Sequence, residues 1–210
     1  MKDYFYDIFS RYENDILSVQ WDKKEGYIDY LAQTFYYVSH SSRIMSIVAG
    51  HLPEKHEETH KAILKHASEE RGHQFAALKD LERLGAKIDQ YPEHPETRMF
   101  WEPQYYKAQF SPLDFYGYAL MLEGTAVLAG RKILEKVEPA HGTKACGFLR
   151  LHCEEDPAHL DMLFNLFNKY NESELIGIRN NCHQSFKAYY NMLRVTLGES
   201  AKKEGDQNAA

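Results

Sequence analysis

Between Phe115 and Gly130 a single charged side chain, Glu123, stands in an otherwise uncharged run. If this run is helical, the neighbours of Glu123 one and two turns away are Tyr116, Ala119, Leu120, Ala126 and Val127, so the helix carries its carboxylate into the core. An ionised carboxylate removed from water without a partner is costly. Two readings of Glu123 satisfy that constraint: a hydrogen bond to a buried Tyr or Arg, or a bound metal ion. Whatever fold the chain adopts must supply one of them.

The rest of the pattern is helical. Tyr30, Tyr37, Ile44 and Ile47 recur at helical spacing between Tyr27 and Leu52, and Gly50 and Pro53 punctuate the end. A second segment starts near Glu54, runs through Ile63, Ala67, Ala77, Leu81 and Leu84, and stops at Gly85. Asp89 to Ser111, rich in proline, reads as a long connection. Ser111-Pro112-Leu113-Asp114 opens a third helix reaching about Val137. Pro139 and Gly142 separate it from a fourth, Thr143 to about Tyr170, and a fifth covers Ser173 to Leu197. No segment alternates with period two between hairpin turns, so the class is all-α, a helical bundle. The 210 residues suit one domain at 27–197, preceded by an aromatic and charged extension (1–26) that reads as a packed helix. Residues 198–210 are polar and read as a disordered tail.

Composition closes off several functions. A net charge of −6 without a dense basic patch argues against nucleic acid. No apolar run is long enough to span a membrane, and Met1 to Ser10 lacks a signal-peptide core. Cys146, Cys153 and Cys182 form no CxxC, which disfavours a disulfide scaffold or a four-cysteine zinc site. The expected setting is the cytoplasm, with a small-molecule substrate as partner and a homodimer left open.

Two further segments place ionisable groups on apolar stripes. His152, Asp156 and His159 continue the stripe of Ala145, Phe148, Met162 and Leu166. With 11 His in the chain, H-x3-D-x2-H arises by chance only roughly 0.03 times, and two imidazoles with a carboxylate form a divalent-metal set. Pro157 is expected to kink the helix beside Asp156. Glu70-x-x-His73 shares a face with His66 one turn earlier. E-x-x-H is a carboxylate-bridged iron pattern in bundles but a weak signal alone, for Glu57/His60 and Glu138/His141 repeat it. Glu57 and His60 read as a solvated face, and Glu69, Glu154 and Glu155 as off-stripe groups meeting water. Glu70, His73, Glu123, His152, Asp156 and His159 together make three carboxylates and three imidazoles. Six such groups over-supply one metal and suit two ions sharing a carboxylate, with iron or manganese favoured over structural zinc.

This ordered series, with Tyr36-Tyr37-Val38-Ser39-His40-Ser41 and Leu52-Pro53 in the opening helix, resembles the haem-oxygenase-like di-iron oxidases. That family is related in fold to TenA-type thiaminases and the pyrroloquinoline-quinone-forming oxidase. The resemblance covers about Tyr27 to Leu197. It implies a TenA-like all-α bundle, two iron ions held by the six residues, and dioxygen as co-substrate. Placing the first carboxylate at Glu70, three before His73, resembles UndA-type decarboxylases. The CADD-type para-aminobenzoate synthases are similar but have a Tyr where this chain has Leu122.

His40 reads as a satisfied core histidine, a partner of the ligands or a haem ligand. His66 flanks the metal set, and Tyr36, Tyr37, Tyr116 and Tyr118 are candidates to line the pocket when not simply core. Arg43 is a surface ion-pair group or a contact for a substrate carboxylate. Cys153 points off the stripe with no base beside it, which disfavours a thiol nucleophile. The expected function is a non-haem di-iron oxidase or oxygenase acting on a small, partly apolar substrate, by decarboxylation or C–H cleavage of a fatty or amino acid. The alternatives are a non-oxidative relative that binds a small molecule or metal, and a metal-free TenA-like hydrolase.

Overall fold

The computed structural model describes residues 1–198 and, among them, helices with no strand. In chain order they are α1 (Lys2–Ser18), α2 (Lys24–Val38), α3 (Ser41–His51), α4 (Glu57–Glu69), α5 (Gln74–Arg83), α6 (Pro95–Phe110), α7 (Phe115–His141), α8 (Gly147–Phe167) and α9 (Glu172–Leu197). The tail read as disordered lies, from 199 on, outside the described residues.

The uncharged run that begins at Phe115 becomes α7, the central helix, packed on α8 along one flank and α9 along another. Gly117 makes the second contact feasible. A Cβ there would lie 2.2 Å from the Ile178 carbonyl oxygen and 2.5 Å from the Cys182 amide nitrogen, so the α7 and α9 backbones touch where only glycine fits. The N-terminal segment is helical and docks on this core through Phe5, whose ring meets Phe164 and Phe186 at 6.2 Å each. An Asn171–Glu174 capping box starts α9.

Several boundaries differ from the sequence expectation. Tyr27–Leu52 is two helices, because the Ser39 hydroxyl donates to the Phe35 carbonyl (2.6 Å) and the His40 amide bonds to the nearer Tyr37 carbonyl, ending the α2 ladder. The second segment divides into α4 and α5 around Gly72, whose φ of +102° is the left-handed conformation. The expected connection over 89–111 holds α6. Its prolines sit at Pro95, the first helical position, and at Pro103. Its buried stripe of Thr97, Phe100, Trp101, Gln104 and Ala108 has helical spacing, hidden from a hydropathy reading because two members are polar. Thr97 donates to Gln33 (2.7 Å), while Asn181 donates to Gln104 (2.9 Å). At the other end of α7, Pro139 lies inside the helix, which stops at Gly142 with φ +85°. Helix α8 runs unbroken through Pro157.

Candidate metal centre

Three stretches of chain bring ionisable groups to one level of the bundle. His66 comes from the last turn of α4, Glu70 and His73 from its junction with α5, Glu123 from the middle of α7, and His152, Asp156 and His159 from α8. The α4–α5 turn at Gly72 replaces the expected continuous helix, and Glu70 and His73 cap its two sides. The N-terminus of α8 is fixed to α5 by Asp80, which accepts from the Phe148 amide (2.7 Å) and from Arg83 (3.0 Å). The stretch after His73 is thereby tied to the helix carrying His152.

Glu70 Oε1 lies 3.3 Å from His73 Nδ1 and 3.8 Å from His66 Nε2. Glu123 presents Oε1 to His66 Nε2 and Oε2 to His159 Nδ1, each at 3.2 Å. Asp156 Oδ1 is 3.7 Å from His159 Nδ1. Ligand atoms of His66, Glu70, Glu123 and His159 all fall within 4.8 Å of one another, and so do those of Glu70, His73 and His152. Glu70 belongs to both groups. His152 Nδ1 is engaged by the Phe148 carbonyl at 2.9 Å, leaving Nε2 as the atom it could offer a metal.

Burial and charge compete here. Burial pushes the Glu123 carboxyl up, but His159 and His66 more than offset it and hold the group below the usual carboxylate range. Burial likewise opposes ionisation of Glu70, and His66 and His73 reverse the outcome to well below normal. His66 is lifted to about 9 because Glu123 and Glu70 outweigh its desolvation, and His159 to about 10 by Asp156 and Glu123. Asp156 is pushed up, first by burial and then by the nearby Glu123 charge. His66 Nε2, Glu70 Oε1, His73 Nδ1 and Asp156 Oδ1 are buried yet make no hydrogen bond. Four such atoms at one place form an incompletely satisfied polar network.

A family model described as iron-containing redox enzymes matches residues 28–192. The chain belongs to that family. Iron fits the residues present: the unpaired buried atoms are carboxylate oxygens and imidazole nitrogens without thiolate, a donor set suited to iron or manganese. No curated protein sequence matches the chain. Solved structures share the fold. A domain of unknown function with a haem oxygenase-like fold from Shewanella denitrificans superposes with a TM-score of 0.77 at 17% identity, over 91% of this chain and 86% of that one. A TenA homologue from Pseudomonas syringae pv. tomato gives 0.73 at 11% identity, over 90% and 89%. A TenA homologue from Pyrococcus furiosus gives 0.66 at 15%, over 90% and 99%. The bundle is therefore a haem-oxygenase-like, TenA-like fold.

Against that family frame, the predicted residues separate. Glu70, His73, Glu123, His152 and His159 fall in the two groups that could hold a metal, whereas Asp156 stands beside His159 outside both. His66, read from sequence as flanking, is a full member of one group. Glu69 and Glu155, read as meeting only water, contact His159 Nε2 at 3.5 Å and His73 Nε2 at 3.6 Å. A cavity of about 80 Å³ adjoins Glu70, Glu123, His152 and Asp156. Tyr37 and Tyr118 line it, joined by Tyr30 and Tyr189, which sequence reasoning missed although Tyr30 precedes Tyr37 by two helical turns. Tyr36 and Tyr116 do not line it: their hydroxyls donate to the Tyr91 and Thr59 carbonyls. His40 is also elsewhere, stacked on Trp101 at 3.6 Å and bonded to the Tyr105 hydroxyl at 2.9 Å, because the α2–α3 break turns it towards α6. Arg43 is exposed. Burial pushes the Cys153 thiol up, and its nearest polar partner is the Ala126 carbonyl at 3.9 Å. That environment is the opposite of an activated nucleophile. Among the described residues no helix is long and apolar enough to cross a membrane.

Proposed function

We propose that this member of the iron-containing redox family is a non-haem di-iron oxidase or oxygenase using dioxygen on a small, partly apolar substrate. The observation that carries the reading is Glu70, the one residue common to the two ligand groups. A carboxylate has two oxygens and is suited to serve two cations at once. One ion would be held by His66, Glu123 and His159, the other by His73 and His152, with Glu70 between them; Asp156 stands ready beside the first. Bound iron would supply the electron transfer to dioxygen that side chains alone cannot.

The chain's own residues prepare the site. The His152–Phe148 bond fixes which imidazole nitrogen faces inward. Phe115, Ala119 and Leu122 give the cavity an apolar wall, and the Tyr37 and Tyr118 phenols, kept protonated by burial, offer hydrogen-bond donors within it. Ser41 adds a small polar group for orienting a substrate. A cavity of about 80 Å³ accommodates a few water-sized groups, which favours a small substrate or the reactive end of a longer one.

Anaerobic reconstitution with Fe(II), metal analysis and then exposure to oxygen test the proposal. Two irons per chain and iron-dependent oxygen uptake are expected, with both reduced in Glu123→Ala. Unchanged iron stoichiometry in that variant, or no uptake by loaded wild type, counts against it.

A further inference from the structure

Three of the histidines facing the buried carboxylates, His73, His152 and His159, turn their second ring nitrogen towards an oxygen. That of His152 meets the Phe148 carbonyl at 2.9 Å. His73 turns Nδ1 to Glu70 and Nε2 outward, where Glu155 Oε2 lies at 3.6 Å. His159 turns Nδ1 to Glu123 and Nε2 outward, where Glu69 Oε2 lies at 3.5 Å. The two outer carboxylates are about 40% exposed, unlike the buried ligand groups, and neither belongs to those groups. The other oxygen of Glu69 is held by Lys65 at 3.0 Å, which restrains the carboxylate on the α4 surface.

We infer that Glu69 and Glu155 are positioning residues: each stands at ion-pair distance from the outward nitrogen of one histidine and would close to accept its N–H when the opposite, unprotonated nitrogen holds a cation. The inference rests on the di-metal reading above and assigns these two glutamates a task within it. The chemistry is general: a metal-bound imidazole donates its other N–H to a carboxylate or carbonyl, which fixes tautomer and ring orientation and raises ligand basicity. Because one glutamate serves His73 and the other His159, each acts on a different metal position. Neither touches the cavity, so neither is expected to contact substrate.

Co(II), which is stable in air and has a visible spectrum sensitive to its ligands, is the probe. Full-length protein is titrated in competition with a chelator. Wild type is expected to bind two equivalents. Glu155→Ala weakens one binding step and Glu69→Ala the other, each ~10–100-fold, and each alters the Co(II) spectrum. Glu155→Gln and Glu69→Gln retain an acceptor oxygen and recover most of the affinity, which a loss of fold or surface charge would not allow. Glu154→Ala, exposed on the same helix, controls for surface charge and is expected to match wild type. Alanine variants indistinguishable from Glu154→Ala overturn the inference while leaving the di-metal reading intact. Glutamine variants as weak as the alanine ones overturn it too, because the negative charge and not an acceptor oxygen would then be what the site needs. A wild type that takes up no Co(II) or Fe(II) removes the metal reading itself, and this inference with it.

Discussion

Loading metal into the metal-free protein at pH 7 is expected to expel protons, and the structure sets how many. His66 at about 9 and His159 at about 10 are both imidazolium at neutral pH. A cation needs neutral imidazole, so loading at these two histidines releases about two protons per chain. The logarithm of affinity, summed over both positions, should then climb by ~2 per pH unit just above neutrality. Titration calorimetry in buffers of different ionisation enthalpy counts the protons directly. Glu123→Gln is the diagnostic variant: without the carboxylate both imidazoles fall back towards their ordinary value, and fewer protons leave on loading. Release of less than one proton by wild type would refute the electrostatic description of the cluster. Its stability counterpart has the same origin. Both histidines are raised on folding, so their contribution to the metal-free protein is complete below about pH 6.5 and disappears as pH rises through 9 to 10. The melting temperature of metal-free protein should fall over that range.

Other perturbations address the scaffold and the cavity. Gly117→Ala places a Cβ 2.2 Å from the Ile178 carbonyl; the forced separation of α7 from α9 should cost ~1–3 kcal/mol, read as a drop of ~2–4 °C in melting temperature per kcal/mol. Asp80→Ala strands the Phe148 amide and loosens the α5–α8 junction, destabilising by ~1–3 kcal/mol and lowering metal occupancy, which thermal melts and metal analysis report. Leu122→Trp fills the cavity from its wall and should abolish substrate binding while two metals still load; metal loss would show that wall and ligands are not separable.

What the sequence revealed depended on how local the signal was. Glu123 stood out because a single charge in an uncharged helix demands a buried partner, and His152, Asp156 and His159 because their spacing is rare. The turn at Gly72 did not, since E-x-x-H satisfies a helix as well as the junction of two. Helix α6 was obscured by its prolines and by Thr97 and Gln104, polar residues buried only because Gln33 and Asn181 answer them across the fold. That His66 joins Glu70, Glu123 and His159 within 4.8 Å of one another while Asp156 stands beside them depends on how α4 and α8 seat against α7, a packing outcome no stripe encodes. Glu69 and Glu155 were set aside for the same reason: half-exposed carboxylates gain meaning only when the histidines beneath them are known.

The central claim is that Glu70 lies between two metal positions. Crystals of protein loaded anaerobically with Fe(II), measured at the iron absorption edge, address it without reference to any substrate. Two anomalous peaks are predicted, one among His66, Glu123 and His159 and one between His73 and His152, with Glu70 reaching both. A single peak away from Glu70, or none in protein shown to be folded and loaded, would contradict the account.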